Sequence, residues 1–254
     1  MTGWRWLVVA ARATAIVLLF AAIIPFHLLL TLLGRRAAIP PLFLRGVGWL
    51  AGLRVRRQGS PAPGPLLLVA NHTSWLDIFA LAGTARAAFV AKGALAESRP
   101  LAWLCQQNDT LFVARERRGG VDGQVATLRA ALAGRRMAVF PEGTTSDGTS
   151  VLPFKSALLS AAESAPVAVQ PVALAYDQPA AIAWHGEETG AANGLRVLAR
   201  LRPVRVTVRF LPPLSGPERA TRKAMAAAAR RRIAGALALP DPAPSALPMP
   251  PPIA

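Results

Sequence analysis

Leu66-Leu67-Leu68-Val69-Ala70 runs straight into Asn71-His72-Thr73-Ser74-Trp75-Leu76-Asp77, and this junction decides the fold. An unbroken apolar run of that length reads as a strand covered on both faces. A second apolar run, Met137-Ala138-Val139, likewise empties into a polar loop, Phe140-Pro141-Glu142-Gly143-Thr144-Thr145-Ser146. Polar loops at the ends of buried strands are where an open α/β sheet places its chemistry. Working outward, further strands are predicted at Arg54–Gln58, Ala88–Ala91, Thr110–Ala114, Val167–Ala175 and Val204–Leu211, with the second run extended to Met137–Phe140. Helices are predicted at Trp75–Ala82, Leu95–Gln106, Asp122–Leu132, Lys155–Ser164 and Pro217–Leu239. This alternation predicts an α/β domain over residues 54–239, a mostly parallel sheet flanked by helices. No internal repeat is visible.

Ahead of the domain, Ala13 to Gly34 is almost entirely apolar, interrupted only by Thr14, Pro25, His27 and Thr31. At the helical rise it reaches roughly 30 Å, one hydrocarbon thickness. No small-residue cleavage site precedes Arg35-Arg36, which argues against a secretory signal. Pro25 leaves two forms open, a kinked span and a re-entrant helix. The following stretch, Pro40 to Leu53, is short and apolar and carries Trp49, which suits an element at a membrane interface. A buried helix of the domain is the competing reading. Residues 1–53 are therefore expected to attach the chain to a membrane. Residues 240–254, rich in proline and without periodicity, are expected to be a disordered tail.

The charge agrees with this reading. The 254 residues carry a formal net charge of +16 and 53% are hydrophobic, with mean hydropathy +0.36. Such a chain wants an acidic partner, either nucleic acid or anionic membrane lipid. There is no lysine-rich run, no zinc-ligand spacing and no aromatic-studded RNA motif. Arginines instead flank the apolar N-terminus, at Arg5, Arg12, Arg35, Arg36, Arg45, Arg54, Arg56 and Arg57. Membrane is favoured and nucleic acid is not. Cys105 is the sole cysteine, so no intrachain disulfide forms, and a reducing cytoplasmic compartment fits.

His72 and Asp77 cannot meet on one uninterrupted helix, because five residues turn through about 500° and leave the side chains roughly 140° apart. They can meet if His72 lies in the loop after the strand and Asp77 in the first helical turn, with Ser74 as the cap. Asp77 would then accept from one ring nitrogen and leave the other free as a base. A structural reading stands beside this one, since Ser74-x-x-Asp77 is also a capping-box pattern and His72 could be a satisfied structural histidine. The second loop tips the balance towards chemistry. Gly143 permits close backbone approach, Glu142 brings a carboxylate to the same sheet edge, and Thr144, Thr145 and Ser146 add hydroxyls. Asp147-Gly148 reads as a turn. Three histidines in all, one of them within the apolar segment, do not make a metal site. No Gly-x-Ser-x-Gly elbow supports a serine hydrolase.

From Arg54 to Leu214 the chain resembles the lysophospholipid and glycerolipid acyltransferases of the bacterial 1-acylglycerol-3-phosphate acyltransferase type. Asn71–Asp77 matches the family's His-x₄-Asp block. Leu111-Phe112-Val113-Ala114-Arg115 is similar to its second block, Phe140–Thr144 to its third and Val169-Gln170-Pro171-Val172 to its fourth. Ala183-Trp184-His185-Gly186 resembles a late tryptophan-glycine segment. The resemblance implies transfer of a fatty acyl group from an acyl carrier protein or coenzyme A thioester to the hydroxyl of a lysolipid, with no further cofactor and no acyl-enzyme. His72 would be the general base and Asp77 its partner. Arg115 would hold an anionic head group, with Lys92 a weaker candidate, and Glu142, Gly143 and Thr144 would belong to the substrate site. It also implies the bacterial inner membrane, with the site on the cytoplasmic face. The expected acceptor is 1-acylglycerol 3-phosphate, giving phosphatidate. One departure bears on that choice. Thr145 stands where the family commonly has arginine, and Thr-Thr-Ser-Asp-Gly resembles relatives that acylate lyso-ornithine lipid. A non-catalytic membrane-binding relative is the reading from another class, and the intact His72, Asp77, Glu142 and Gly143 argue against it.

Overall fold

The structure, a computed structural model, describes residues 3–113, 120–163 and 165–240. In chain order it comprises α1 (Gly3–Leu32), α2 (Pro40–Leu50), β1 (Leu53–Gln58), β2 (Leu66–Ala70), α3 (Leu76–Ala85), β3 (Ala88–Lys92), α4 (Arg99–Gln107) and β4 (Leu111–Val113). There follow α5 (Gly120–Leu132), β5 (Arg136–Val139), β6 (Ala168–Tyr176), α6 (Gly190–Leu198), β7 (Val204–Phe210) and α7 (Arg222–Leu237). The seven strands form one sheet in the order β1-β7-β6-β2-β5-β3-β4. Every neighbouring pair is parallel except β6 and β7, so β1 and β7 run against the other five.

β2 lies at the centre because its sequence can be buried on both sides. Leu66, Leu68 and Ala70 face one core with Leu76, Ala80 and Leu81 of α3. Leu67 and Val69 face the other with Met137 and Val139 of β5, Leu128 and Leu132 of α5, and Met225 and Ala229 of α7. All five β2 residues are fully buried, and each leucine so placed stabilises the fold by roughly 1.5–3 kcal/mol relative to exposure. At the sheet's edge, β1 is buried only at Leu53, and its arginines discourage pairing with another chain.

Several elements depart from the sequence expectation. The helix expected at Lys155–Ser164 is a 3₁₀ helix over Ala157–Ala162, and Pro166 biases the residue before it away from helical backbone. The helix expected from Leu95 begins at Arg99, with Pro100 in its first turn and a 3₁₀ turn, Gly93–Ala96, before it. The last helix begins at Arg222, where the Thr221 hydroxyl accepts from the Ala224 N–H, rather than at Pro217. α6 was not expected. It is capped by Thr189, whose hydroxyl accepts from Ala192 N–H, and tied down by buried Asn193. The proline-rich tail lies, apart from Pro240, outside the described residues.

α1 starts ten residues earlier than the apolar run and is continuous through Pro25. It lies lengthwise on the domain. Arg12 donates to the carbonyls of Ala51 and Leu198, Phe20 packs edge-on against Phe43 and Trp103, and His27 pairs with Gln107. The opposite face bears exposed Leu7, Val17, Leu18, Phe26, Leu29 and Leu32. α2 is buried on one side and exposed on the other. Val47 and Gly48 are buried towards α3, whereas Leu42 and Trp49 are exposed and the Arg54 guanidinium lies 4.8 Å from the Trp49 ring.

The strand pairing that positions the site outlasts the strand. Beyond Ala70, the carboxamide of Asn71 accepts from Leu174 N–H at 2.8 Å and donates to Leu174 C=O at 3.2 Å, adding one side-chain rung to the β2–β6 ladder. Asn71→Leu would leave both buried main-chain groups unpaired. Chemical denaturation is expected to show a loss of about 2 kcal/mol or more; an unchanged midpoint would remove Asn71 from the fold's supports.

Candidate active site

β2 and β6 are parallel neighbours whose chains leave in opposite directions, β2 through α3 to β3 and β6 through α6 to β7. A crevice opens at such a switch point, and His72 stands at it.

The turn from β2 into α3 is organised by Asp77, which has no solvent exposure. Its Oδ2 accepts from the Thr73 N–H at 2.8 Å, the Ser74 N–H at 3.0 Å and His72 Nδ1 at 2.8 Å. Its Oδ1 accepts from the Tyr176 hydroxyl at 2.5 Å. The capping role and the histidine-partner role therefore belong to one carboxylate. Ser74 is not the cap that was expected. Trp75 occupies that position without a side-chain bond, and the Ser74 hydroxyl accepts from Leu76 N–H only at 3.4 Å. Asp77 reaches back to the turn instead. A carboxylate offers only acceptors, so the hydrogen between it and the imidazole sits on Nδ1 and the lone pair is left on Nε2. Nε2 has no hydrogen-bond partner among the described residues.

The main chain of His72 is gripped on both sides. Its N–H donates to Glu142 Oε1 at 2.8 Å, and its C=O accepts from the N–H and hydroxyl of Ser146 at 2.8 and 3.2 Å. The Phe140 ring stacks on the imidazole with centroids 4.1 Å apart and planes 17° from parallel. The two loops predicted from sequence thus meet at one residue.

Glu142 is buried, and its Oε2 accepts from Leu152 N–H at 3.3 Å. Burial pushes its carboxyl up to about 8, against the two N–H bonds from His72 and Leu152 that favour the charged form. Near neutrality it is mostly the neutral acid, which keeps a second negative charge away from Asp77. Gly143 adopts φ +74° and donates to Phe140 C=O at 3.0 Å, a tight turn in the region where a side chain is strained. Thr144 is exposed, and its hydroxyl makes no hydrogen bond among the described residues. Thr145 donates to the Trp184 carbonyl, so its hydroxyl is engaged in joining loops. Trp184 in turn donates its main-chain N–H to Thr73 C=O at 3.1 Å. Asp147-Gly148 is a turn as expected, with Asp147 Oδ1 accepting from the N–H and hydroxyl of Thr149. Lys92 ends β3, and neither its side chain nor any part of Arg115 lies within the described residues.

Sequence reasoning missed three members of this arrangement. Tyr176, the only tyrosine in the chain, gave the single compositional hint; burial and the Asp77 charge raise its hydroxyl well above its ordinary range, so it remains a donor. Asn71 lay inside the quoted block without a role. Phe140 was seen only as the start of a loop. Phe140 also stacks on Phe89, at 6.3 Å. Phe89 lines an apolar cavity of about 300 Å³ together with Ile16 and Phe20 of α1, Phe43 of α2, Phe79 of α3 and Trp103 of α4. Among the described residues no group of three His, Cys, Asp or Glu side chains could hold a metal ion.

A profile of the acyltransferase family matches residues 53–175. A lyso-ornithine lipid O-acyltransferase of Brucella abortus is 37% identical over 240 residues, 86% of this chain and 90% of its own. One from Rhodobacter capsulatus is 31% identical over 88% of both chains. A 1-acyl-sn-glycerol-3-phosphate acyltransferase of Neisseria gonorrhoeae is 36% identical over 126 residues, 49% of each chain. The crystal structure of the 1-acyl-sn-glycerophosphate acyltransferase of Thermotoga maritima matches with a TM-score of 0.62 at 23% identity, over 92% of this chain and 99% of that one, a likeness of fold. The chain belongs to the acyltransferase family. It is an acyltransferase with lysolipid-acylating relatives, and its apolar N-terminal helix is that of a membrane-associated enzyme.

The raised Glu142 carboxyl sets a pH dependence of stability. From pH 4.5 to about 8 the folded chain holds a proton that the unfolded chain releases, so stability falls as pH rises through that window. Glu142→Gln is expected to flatten this decline, by a few kcal/mol across the window, in Tm measured as a function of pH. Parallel profiles for the two proteins would refute it.

Proposed function

We propose that the enzyme transfers a fatty acyl group from an acyl carrier protein or coenzyme A thioester to the hydroxyl of lyso-ornithine lipid, with His72 Nε2 as general base. The geometry of His72 carries this reading: Nδ1 is committed to Asp77, the ring face to Phe140, and Nε2 alone remains open. The acceptor hydroxyl would attack the thioester carbonyl while its proton passes to Nε2. The tetrahedral intermediate would then collapse and expel the thiolate, which takes the proton back. Asp77 would stabilise the transient imidazolium, and no cofactor beyond the thioester is needed. The apolar cavity behind Phe89 has the chemistry to receive the acyl chain.

The choice of acceptor follows from the loop chemistry and the relatives together. The expected arginine is absent at Thr145, and Asp147 in the same loop is held as a carboxylate below its usual range by the N–H and hydroxyl of Thr149. A phosphate would meet an anion here, whereas the amino group of an ornithine head group would meet a partner. The relatives similar over most of the chain carry the lyso-ornithine name. The second reading, 1-acylglycerol 3-phosphate as acceptor, rests on the Neisseria relative, which matches over about half of each chain. In that case Arg115, and more weakly Lys92, would hold the phosphate. Gly143 and Thr144 would border the acceptor site in either case, with Glu142 bracing it.

Residues 1–53 would attach the enzyme to the cytoplasmic face of the inner membrane, residues 54–239 would carry the chemistry, and 240–254 would be a tail. α1 would lie along the membrane surface with its leucines inward, because its contacts with the domain run along most of its length.

The test is a product assay on membranes containing wild type or His72→Ala, offered an acyl thioester with each lysolipid. His72→Ala is expected to lower kcat by about 10²–10⁴-fold without changing the membrane-bound fraction. Near-normal turnover would remove His72 from the mechanism. Asp147→Asn, which keeps the Thr149 bonds, is expected to raise KM for lyso-ornithine lipid about tenfold with kcat preserved. Activity confined to 1-acylglycerol 3-phosphate would overturn the acceptor and leave the chemistry in place.

A further inference from the structure

At the other end of the parallel strands from His72, a cavity of about 690 Å³ opens between the α1–α2 connection and the starts of β3 and β5. Five arginines line it, Arg35, Arg36, Arg86, Arg135 and Arg136, with Asp109 the one acidic residue among them. Asp109 pairs with Arg36 and, at 3.1 Å, with Arg135. Arg136 donates to Ala85 C=O at 3.3 Å. The side chains of Arg35 and Arg86 have no partner among the described residues.

The plain alternative is that these arginines merely answer helix dipoles, because α1, α3, α4 and α5 all end here. Each C-terminus carries about half a negative charge, so the four bring roughly two. Five guanidinium groups less one carboxylate exceed that, and a net positive charge of about two is left over. The backbone points the same way. Arg86 and Asp109 both stand at φ +53°, two of the three non-glycine residues with positive φ among those described. Arg86 occupies the left-handed C-cap of α3, where glycine costs least, so a guanidinium at the cavity comes with backbone strain.

We propose that this cavity docks the phosphate-bearing head group of an anionic membrane phospholipid, at a site separate from the active site. Guanidinium groups recognise phosphate through paired hydrogen bonds. The surroundings select a lipid over an acidic protein. The cavity lies at the end of α1 where Leu29, Leu32 and Leu33 are exposed, and exposed Leu42 of α2 adjoins Pro40 and Pro41 of its wall. A phospholipid presents hydrocarbon and phosphate together. An acyl carrier protein would have to bring its acyl thioester to His72, at the opposite ends of the strands from this cavity. The proposal rests on the reading that α1 lies along a membrane.

The test uses the full chain and vesicles of phosphatidylcholine alone or mixed with phosphatidylglycerol. An arginine near an anionic surface strengthens binding about fivefold. The double variant Arg35→Gln/Arg86→Asn is therefore expected to bind the mixed vesicles roughly thirtyfold more weakly than wild type, and neutral vesicles equally well; asparagine tolerates the left-handed backbone. A control with the same charge loss, Arg56→Gln/Arg57→Gln on exposed β1, should change binding far less. Equal losses in the two double variants would reduce the effect to diffuse charge and overturn the site. Unchanged vesicle binding with selective loss of turnover on acyl carrier protein thioesters would reassign the cavity to the carrier. Inorganic phosphate that raises Tm of wild type but not of the Arg35/Arg86 variant, with no vesicle effect, would reassign it to a soluble anion. Wild type that binds neither vesicle would sink the membrane reading of α1 itself, a failure distinct from the others.

Discussion

A carboxylate shut off from water has to collect its hydrogen bonds from the protein, and Asp77 collects four. Two come from the turn just before it, which folds the chain from β2 into α3. One comes from the imidazole of His72, which fixes its tautomer. The fourth comes from Tyr176 at the end of β6, which ties the turn to the neighbouring strand. An uncompensated charge at this depth would be prohibitive. The turn, the tautomer and the β2–β6 crevice are therefore three consequences of satisfying one group. Glu142 solves the same problem differently, by holding its proton, and so can sit nearby without repelling Asp77.

What was legible in the sequence was what local pattern controls. The apolar runs of β2 and β5 and the polar loops behind them could be read because burial on both faces demands near-continuous hydrophobicity. The pairing of His72 with Asp77 followed from helical geometry and a short turn. The roles of Tyr176 and Asn193 could not be read for the opposite reason. Their partners, Asp77 and Trp75, lie about a hundred residues away along the chain. α6, with glycines at 190 and 194, has little helical preference of its own and owes its place to tertiary bonds. The element after Lys155 is a 3₁₀ helix, a distinction that hydrophobic pattern does not carry. The two readings of Ser74-x-x-Asp77 are compatible in structure, because one carboxylate bonds both the turn and the imidazole.

The N-terminal helix shows a similar merging. Its composition alone fits a span, but its contacts from Arg12 to His27 keep it beside the α/β domain over most of its length. A helix of this apolarity with one side on a globular domain has its other side to cover, and Leu18, Leu29 and Leu32 are left for a second solvent. The same helix walls the apolar cavity that reaches Phe89, which stacks on Phe140 and through it on His72. The cavity, Phe89 and Phe140 thus form a continuous apolar path from α1 to His72.

His72 is held at its N–H, its C=O, its Nδ1 and one ring face. For the proposed general base, water would have to turn its dipoles to receive a proton at Nε2, whereas this surround has already turned. The acceptor groups on Asp77 are in place beforehand, and the ring is held on several sides. Under that proposal the cost of this order is met once, when the chain folds, and does not recur at each turnover.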